Sequence, residues 1–232
     1  MLSQRSAWTS SLFFAIAMSF ALSASSCARD QASSAVNCKS STRPCLAGTA
    51  DVVLQTSKGT IVLRLDGANA PLTAGNFVDL VRRGVYSNTV FHRVVRSPLP
   101  FVVQGGDPLS ANPKNPASLY GTGNYIDPAS GEARYVPLEF RLKATQQFVY
   151  GQVISSLGKA NRPVLTHDRG AIAMARSSLP NSGSAQFYIA LEALPELDGQ
   201  YAVFGRVIRG MDIVDKLEQG DRLLRADLLA KK

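Results

Sequence analysis

An arginine and a glutamine stand where β-type sequence should be apolar. Phe91-His92-Arg93-Val94-Val95 and Phe101-Val102-Val103-Gln104-Gly105-Gly106-Asp107 are short strand-like runs. They are joined by Arg96-Ser97-Pro98-Leu99-Pro100, a turn whose prolines forbid a helix. Strand alternation predicts Phe91, Arg93 and Val95 on one face and His92 and Val94 on the other. A guanidinium among Phe and Val has to be paired, so Arg93 is either half of a structural ion pair or a binding group. Gly105-Gly106 lets the chain turn where side chains would clash. Other chemistries find less support. The chain has 2 histidines, and neither has a serine–acid partner evident in the sequence, which disfavours a hydrolase. All 3 cysteines precede residue 46, so a zinc site in the main domain would need carboxylates and no metal is expected. Gly121-Thr122-Gly123-Asn124-Tyr125 lacks the Gly-Lys-Ser/Thr and βαβ setting of a phosphate loop and reads as a plain loop.

Four blocks in the order Phe91–Val95, Phe101–Asp107, Gly183-Ser184-Ala185-Gln186-Phe187-Tyr188-Ile189 and Leu197-Asp198-Gly199-Gln200-Tyr201-Ala202-Val203-Phe204-Gly205 resemble the signature of the cyclophilin peptidyl-prolyl isomerases. The resemblance runs from about Asp51 to Asp221. It implies catalysis of rotation about X–Pro bonds, which faces a barrier of about 18–20 kcal/mol and takes tens to hundreds of seconds unaided. Such catalysis requires no nucleophile, metal or cofactor. The twisted amide loses conjugation and its proline nitrogen becomes basic, so a cation donating to that nitrogen favours the twisted state over the planar one. By the resemblance Arg93 is that cation, and its planar, permanently charged fork suits the task. Phe101, Val102, Tyr188 and Leu197 would form the proline pocket, and Gln104 would bind the substrate backbone. Ala175 and the main chain of Arg176 would hold the residue before the proline. Gln186 would either orient Arg93 or satisfy the barrel interior. His92, turned away from Arg93 by alternation, and His167, outside the matched blocks, are read as structural.

The chain also departs from the family pattern. Val102 replaces the usual methionine, Tyr188 the second pocket phenylalanine, Glu196 the tryptophan before Leu-Asp-Gly, Tyr201 a histidine and Arg176 an asparagine. Arg93, Phe101 and Gln104 are kept, so these changes bear on substrate range, rate and drug binding. The competing reading is a membrane-tethered module that binds proline peptides as a scaffold, with incidental turnover.

The elements that must position these residues follow from periodicity. Val52–Thr56 and Gly59–Leu65 predict a hairpin about Ser57-Lys58-Gly59. Pro71 to Gly84 predicts a helix, with proline in its first turn, arginines at its end and glycine as its stop. Leu138-Glu139-Phe140, Gly170–Arg176, Gln186–Ala190 and Tyr201–Val207 read as strands, and Met211–Glu218 as a second helix. Thr145–Val164 looks like an insertion relative to the family. Many strands with two distant helices predict a mainly β, antiparallel barrel; the resemblance makes it a closed eight-stranded barrel capped by two helices, over residues 49–232.

The 232 residues, 45% of them hydrophobic, suffice for one substantial core. Net charge is +8, with no Lys/Arg run longer than two and no nucleic-acid-binding signature, so nucleic acid is not an expected partner. Residues 1–26 read as an export signal: Arg5, then eleven apolar-core residues from Leu12 to Leu22, too few for a membrane span of about 20. Ser23-Ala24-Ser25-Ser26-Cys27 resembles a bacterial lipoprotein signal, which would make Cys27 the lipidated N-terminus; ordinary cleavage nearby is the alternative. With Cys27 lipidated, Cys38 and Cys45 form an even pair in an oxidising compartment, giving a small disulfide loop or, alternatively, two free thiols. Residues 27–48, rich in Ser, Ala, Thr and Pro, read as a tether. The expected protein is an exported monomer, periplasmic or otherwise extracytoplasmic, acting on proline-containing polypeptides.

Overall fold

The structure is a computed structural model and describes residues 38, 41–156, 158 and 161–230. The expected signal segment and Cys27 lie outside the described residues. Among the described residues no helix is long and apolar enough to cross a membrane.

The hairpin forms as β1 (Thr49–Thr56) and β2 (Gly59–Asp66), followed by helix α1 (Pro71–Arg82). Next come β3 (Thr89–Val90), β4 (Arg93–Val94), β5 (Val102–Gly105), β6 (Glu139–Arg141), β7 (Phe148–Tyr150), β8 (Ala171–Met174) and β9 (Phe187–Ala190). The chain ends with β10 (Val203–Arg209), α2 (Met211–Val214) and β11 (Arg222–Leu228). The second helix is thus shorter than its sequence period suggests.

The expected closed eight-stranded barrel is corrected. Nine described strands form one antiparallel sheet, in the order β3-β11-β1-β2-β10-β8-β9-β5-β4, and β6-β7 form a separate ribbon. The sheet curls into a half-barrel whose ladder stays open. Its edge strands, β3 and β4, are consecutive in the chain and joined only by Phe91-His92. That link also breaks the alternation expected there. Phe91 is fully buried in the core while Arg93 is exposed.

The sheet is covered on both faces where the candidate site lies. Along β9, Phe187 and Ile189 enter the main core while Tyr188 and Ala190 join a second apolar cluster on the opposite face. In β8, Ile172 and Met174 alternate in the same way with Ala171 and Ala173, and in β5 Val103 alternates with Val102. Two covered faces explain why these strands read as unbroken apolar runs. Phe77 of α1 packs on Tyr86, Phe187 and Phe204 at ring separations of 4.8–5.3 Å, fixing the helix against the inner face.

Helix α1 has no side-chain cap of its own at Ala70. Glu139, buried on β6, supplies it from a distance: its carboxylate accepts from the backbone N–H groups of Leu72 (3.1 Å) and Thr73 (2.9 Å) and from the Thr73 hydroxyl (2.8 Å). Burial outweighs these bonds and raises the Glu139 pKa to about 7. The suspected insertion serves this site, because its strand β7 pairs with β6 and sets Tyr150 opposite Glu139. Cys38 and Cys45 are disulfide-bonded, with Cα atoms 5.3 Å apart. The backbone of Cys45 lies directly on Gly75 of α1, and Leu46 N–H donates to Pro71 C=O at 3.0 Å.

Candidate active site

Register alone assembles one row of side chains across the outer face of the sheet. Arg93 on β4 pairs with Gln104 on β5, Gln104 with Tyr188 on β9, Tyr188 with Ala173 on β8, and Ala173 with Val203 on β10. Partners directly opposite point to the same side. The lone cation and the tyrosine therefore flank one glutamine.

A cavity of about 240 Å³ opens over this row, lined by Arg93, Phe101, Val102, Gln104, Ala175, Arg176, Tyr188, Leu197 and Tyr201. The structure thus brings together every catalytic and substrate-binding residue expected from the sequence except Gln186, which lies one step behind. Val102 and Tyr188 form a buried floor, and Phe101, Leu197 and Tyr201 pack around it half-buried. The Arg93 guanidinium sits 5.7 Å from the Phe101 ring centroid, over the mouth of the apolar pocket.

Gln186 belongs to a polar chain. Arg93 Nη1 donates to Gln104 Oε1 (3.4 Å), Gln104 Nε2 to Gln186 Oε1 (3.3 Å), and Gln186 Nε2 to the Gly123 carbonyl (2.9 Å). Each amide presents its oxygen to one neighbour and its nitrogen to the next, so the chain has one consistent direction. Gly123 is fixed in turn by Asp107, which is fully buried and accepts from Gly121 N–H (2.6 Å) and Gly123 N–H (3.1 Å). The loop at 121–125, which carries no phosphate-binding signature, thus anchors the relay that aims Arg93. Gly106, at φ +81°, turns the chain into Asp107 where a side chain would strike Phe187 and Tyr86.

Arg176, expected to act through its main chain, also brings a second cation to the cavity. Its Nε donates to Gln200 C=O (2.9 Å), and its Nη1 to the carbonyls of Ser177 (2.9 Å) and Ser178 (3.3 Å). It also stacks 4.7 Å from the Tyr201 ring centroid. Among the described residues Arg93 makes only its one long hydrogen bond to a side chain, which leaves most of its donors available to a ligand, whereas Arg176 has its Nε and Nη1 engaged by backbone carbonyls. A second, more polar cavity of about 330 Å³ shares Gln104, Ala175 and Arg176 and reaches Ser177, Ser182 and Ser184.

His92 is half-buried and His167 is buried. His92 lies in the link between the sheet edges, where burial lowers its pKa and Asp107 opposes that effect. His167 is buried directly behind the pocket. Its Nδ1 is 2.9 Å from Asp198 Oδ1, and its Nε2 is 2.9 Å from the Tyr188 hydroxyl. Burial pushes its pKa down and Asp198 opposes this; the Tyr188 hydroxyl is pushed up by burial. The histidine does have an acid partner, invisible in sequence because 31 residues separate them. The hydroxyl beyond it is buried and held by hydrogen bonding, so it is not an exposed nucleophile.

Residues 51–228 match the family model described as cyclophilin type peptidyl-prolyl cis-trans isomerase/CLD. The chain belongs to the cyclophilins. It is 37% identical over 198 residues to a Synechocystis sp. protein named as a thylakoid lumen peptidyl-prolyl cis-trans isomerase, covering 81% of this chain but only 48% of that protein, so the chain spans about half the length of this relative. A Helicobacter pylori peptidyl-prolyl cis-trans isomerase is 34% identical over 178 residues, 76% of this chain and 85% of that protein. Among solved structures, the Cryptosporidium parvum cyclophilin type isomerase in the presence of the dipeptide Ala-Pro superimposes with a TM-score of 0.57 at 25% identity, covering 78% of this chain and 99% of that one. The family's isomerase fold and the cavity over the Arg93–Gln104–Tyr188 row coincide in the same part of the chain.

Proposed function

We propose that the protein is a peptidyl-prolyl cis-trans isomerase that acts on exported polypeptides outside the cytoplasm. The observation carrying this reading is the position of Arg93, with donors available, at the mouth of an apolar cavity of about 240 Å³. A substrate proline ring enters over Val102 and Tyr188, with Phe101 and Leu197 beside it. The amide nitrogen then faces Arg93. As the bond twists, the nitrogen becomes a better acceptor and Arg93 donates to it, an interaction absent from the planar ground state. Each thousandfold acceleration needs about 4 kcal/mol, within reach of one charge-assisted hydrogen bond in an apolar setting. Gln104 and Gln186 hold the guanidinium in place, and Ala175 and Arg176 flank the residue preceding the proline. That the Cryptosporidium parvum relative was solved in the presence of the dipeptide Ala-Pro supports an Ala-Pro peptide as the minimal substrate class.

The extracytoplasmic location is supported by the apolar leader at 12–22, by the Cys38–Cys45 disulfide and by the lumenal naming of the Synechocystis relative. Lipidation at Cys27 would tether the domain to a membrane through the residues before Cys38, since Cys45 and Leu46 pack on α1.

A protease-coupled assay on an Ala-Pro peptide tests the activity: the slow cis-to-trans phase should accelerate in proportion to enzyme concentration, and an unchanged phase refutes it. Mass spectrometry of membrane-extracted protein tests the anchor. An acyl mass on Cys27 is expected, and a soluble product beginning at another residue overturns it.

A further inference from the structure

Behind the pocket, one buried residue joins parts of the proline site that share no strand. His167 precedes β8, is 2% exposed, and bonds in two directions. Toward the pocket floor, its ring Nε2 meets the Tyr188 hydroxyl at 2.9 Å, and the two rings lie nearly parallel, at 13°, with centroids 6.0 Å apart. Toward the pocket wall, its ring Nδ1 and its backbone N–H both reach Asp198 Oδ1 at 2.9 Å, and its carbonyl accepts from Leu194 N–H at 2.8 Å. Leu194 and Asp198 bracket the turn Pro195–Leu197, which carries the pocket residue Leu197.

The protons can be assigned from donor and acceptor chemistry. Asp198 Oδ1 already accepts from the His167 backbone N–H, and the same acceptor oxygen faces the ring, so Nδ1 carries the hydrogen. Neutral His167 then has Nε2 as an acceptor, and the Tyr188 hydroxyl donates to it. The result is a directed chain from Tyr188 to His167 to Asp198, with a defined length at each link. A phenylalanine at position 188 would fill the same floor but could not be tied. A ring anchored at its far end can neither slide along the sheet nor tilt away from Leu197.

We propose that His167 is a positioning residue that fixes the separation between Tyr188 and Leu197, and that this fixed gap makes the pocket selective for the five-membered ring of proline over larger cyclic imino acids. The proposal rests on the reading of this cavity as the proline site. His167 touches no substrate; it acts through Tyr188 and Asp198. The relay from Arg93 through Gln104 to Gln186 makes its hydrogen bonds without His167.

The test measures the affinity of wild type, Tyr188→Phe, His167→Gln and the double variant for two peptides, one containing proline and one containing its six-membered homologue pipecolic acid. Turnover of the proline peptide is followed in parallel. Wild type should favour proline. Tyr188→Phe should cut the proline-to-pipecolate affinity ratio at least threefold, and the double variant should match the single ones because the same link is broken only once. An unchanged ratio in Tyr188→Phe, or additive effects in the double variant, overturns the proposal. Nitrogen NMR of labelled histidine gives an independent readout that needs no second fold. Wild-type His167 should be the Nδ1–H tautomer, and its Nε2 resonance should move in Tyr188→Phe; an Nε2–H tautomer overturns the assignment. Absent turnover in all four proteins, with the ratio change intact, would refute only the isomerase reading.

Discussion

Arg93 and Tyr188 flank Gln104 in one cross-strand row, two strands apart on the same face of the sheet. At about 4.8 Å per strand, their backbones are roughly 10 Å apart, room for a proline ring and the amide preceding it. Gln104 between them is the only group in the row bonded directly to the cation.

Removing the cation should therefore remove the chemistry and little else. Arg93 is exposed and its one side-chain hydrogen bond among the described residues is 3.4 Å long, so the fold depends little on it. Arg93→Ala is expected to lower kcat/KM by about 100-fold or more, roughly 2.7 kcal/mol, with an unchanged melting curve. Arg93→Lys should also lose most activity, since a point charge on a flexible stem does not reproduce the fork. Arg176 should not substitute, because three carbonyls and the Tyr201 ring hold its guanidinium in a fixed place of its own. Comparable turnover by the alanine variant would remove Arg93 from the mechanism.

Glu139 makes stability depend on pH in an unusual direction. Its folded pKa of about 7 lies above the ordinary carboxylate value because burial disfavours the charge. Between those two values the native state binds more protons than the unfolded one, so its stabilising contribution is full in acid and is lost as pH rises through about 7. The swing is about 3 kcal/mol. Urea denaturation at pH 5 and pH 8 should show wild type losing more stability on the alkaline side than Glu139→Gln, which has no such titration. Parallel pH profiles for the two proteins would rule this linkage out.

Gly75 sets helix propensity against packing. On propensity alone, alanine in mid-helix gains about 1 kcal/mol over glycine. A Cβ there would run into the backbone of Cys45, which the Cys38–Cys45 bridge and the Leu46–Pro71 hydrogen bond keep in place. Overpacking against fixed backbone costs about 1–3 kcal/mol, so Gly75→Ala should be net destabilising in the oxidised protein. Equal stability, read by denaturant midpoint, would mean that the segment at 43–48 moves aside at little cost.

The same contrast marks what the sequence could show. The site strands, α1 and the residues lining the pocket were legible because their apolar periods, Pro71 and the spaced blocks are local signals. Sheet closure was not legible, because it depends on whether the Phe91-His92 link continues the ladder, and a two-residue break leaves no compositional mark. The second helix was overextended because Leu217 keeps the helical period of Met211 and Val214 yet lies beyond α2 and the turn at 215–216. The roles of His167, Asp107 and Glu139 were hidden for another reason: their partners lie in loops, turns or a helix end that meet them only in the folded chain. Asp198 lies 31 residues from His167 and Thr73 lies 66 from Glu139. The Tyr188 hydroxyl was the one usable clue, since a buried phenol in an apolar pocket requires a partner.

Glu196 should separate catalysis from inhibition by cyclosporin. It occupies the place of a tryptophan that, in cyclophilins, donates an indole hydrogen bond to that macrocycle and covers its apolar surface. Here the side chain is exposed on the turn Pro195–Leu197, next in sequence to the pocket residue Leu197. A glutamate at neutral pH only accepts hydrogen bonds, and burying its charge beneath an apolar macrocycle costs free energy. Turnover of a short peptide needs only the floor and walls of the cavity, Phe101, Val102, Tyr188 and Leu197, with Arg93 at its mouth. Wild type should therefore turn over Ala-Pro peptides while binding cyclosporin weakly. Glu196→Trp should tighten cyclosporin at least tenfold, about 1.4 kcal/mol, with a smaller change in kcat/KM. Inhibition titrations of the two proteins decide the matter, since tight inhibition of wild type, or no gain in the variant, would show that the determinant lies elsewhere in the pocket.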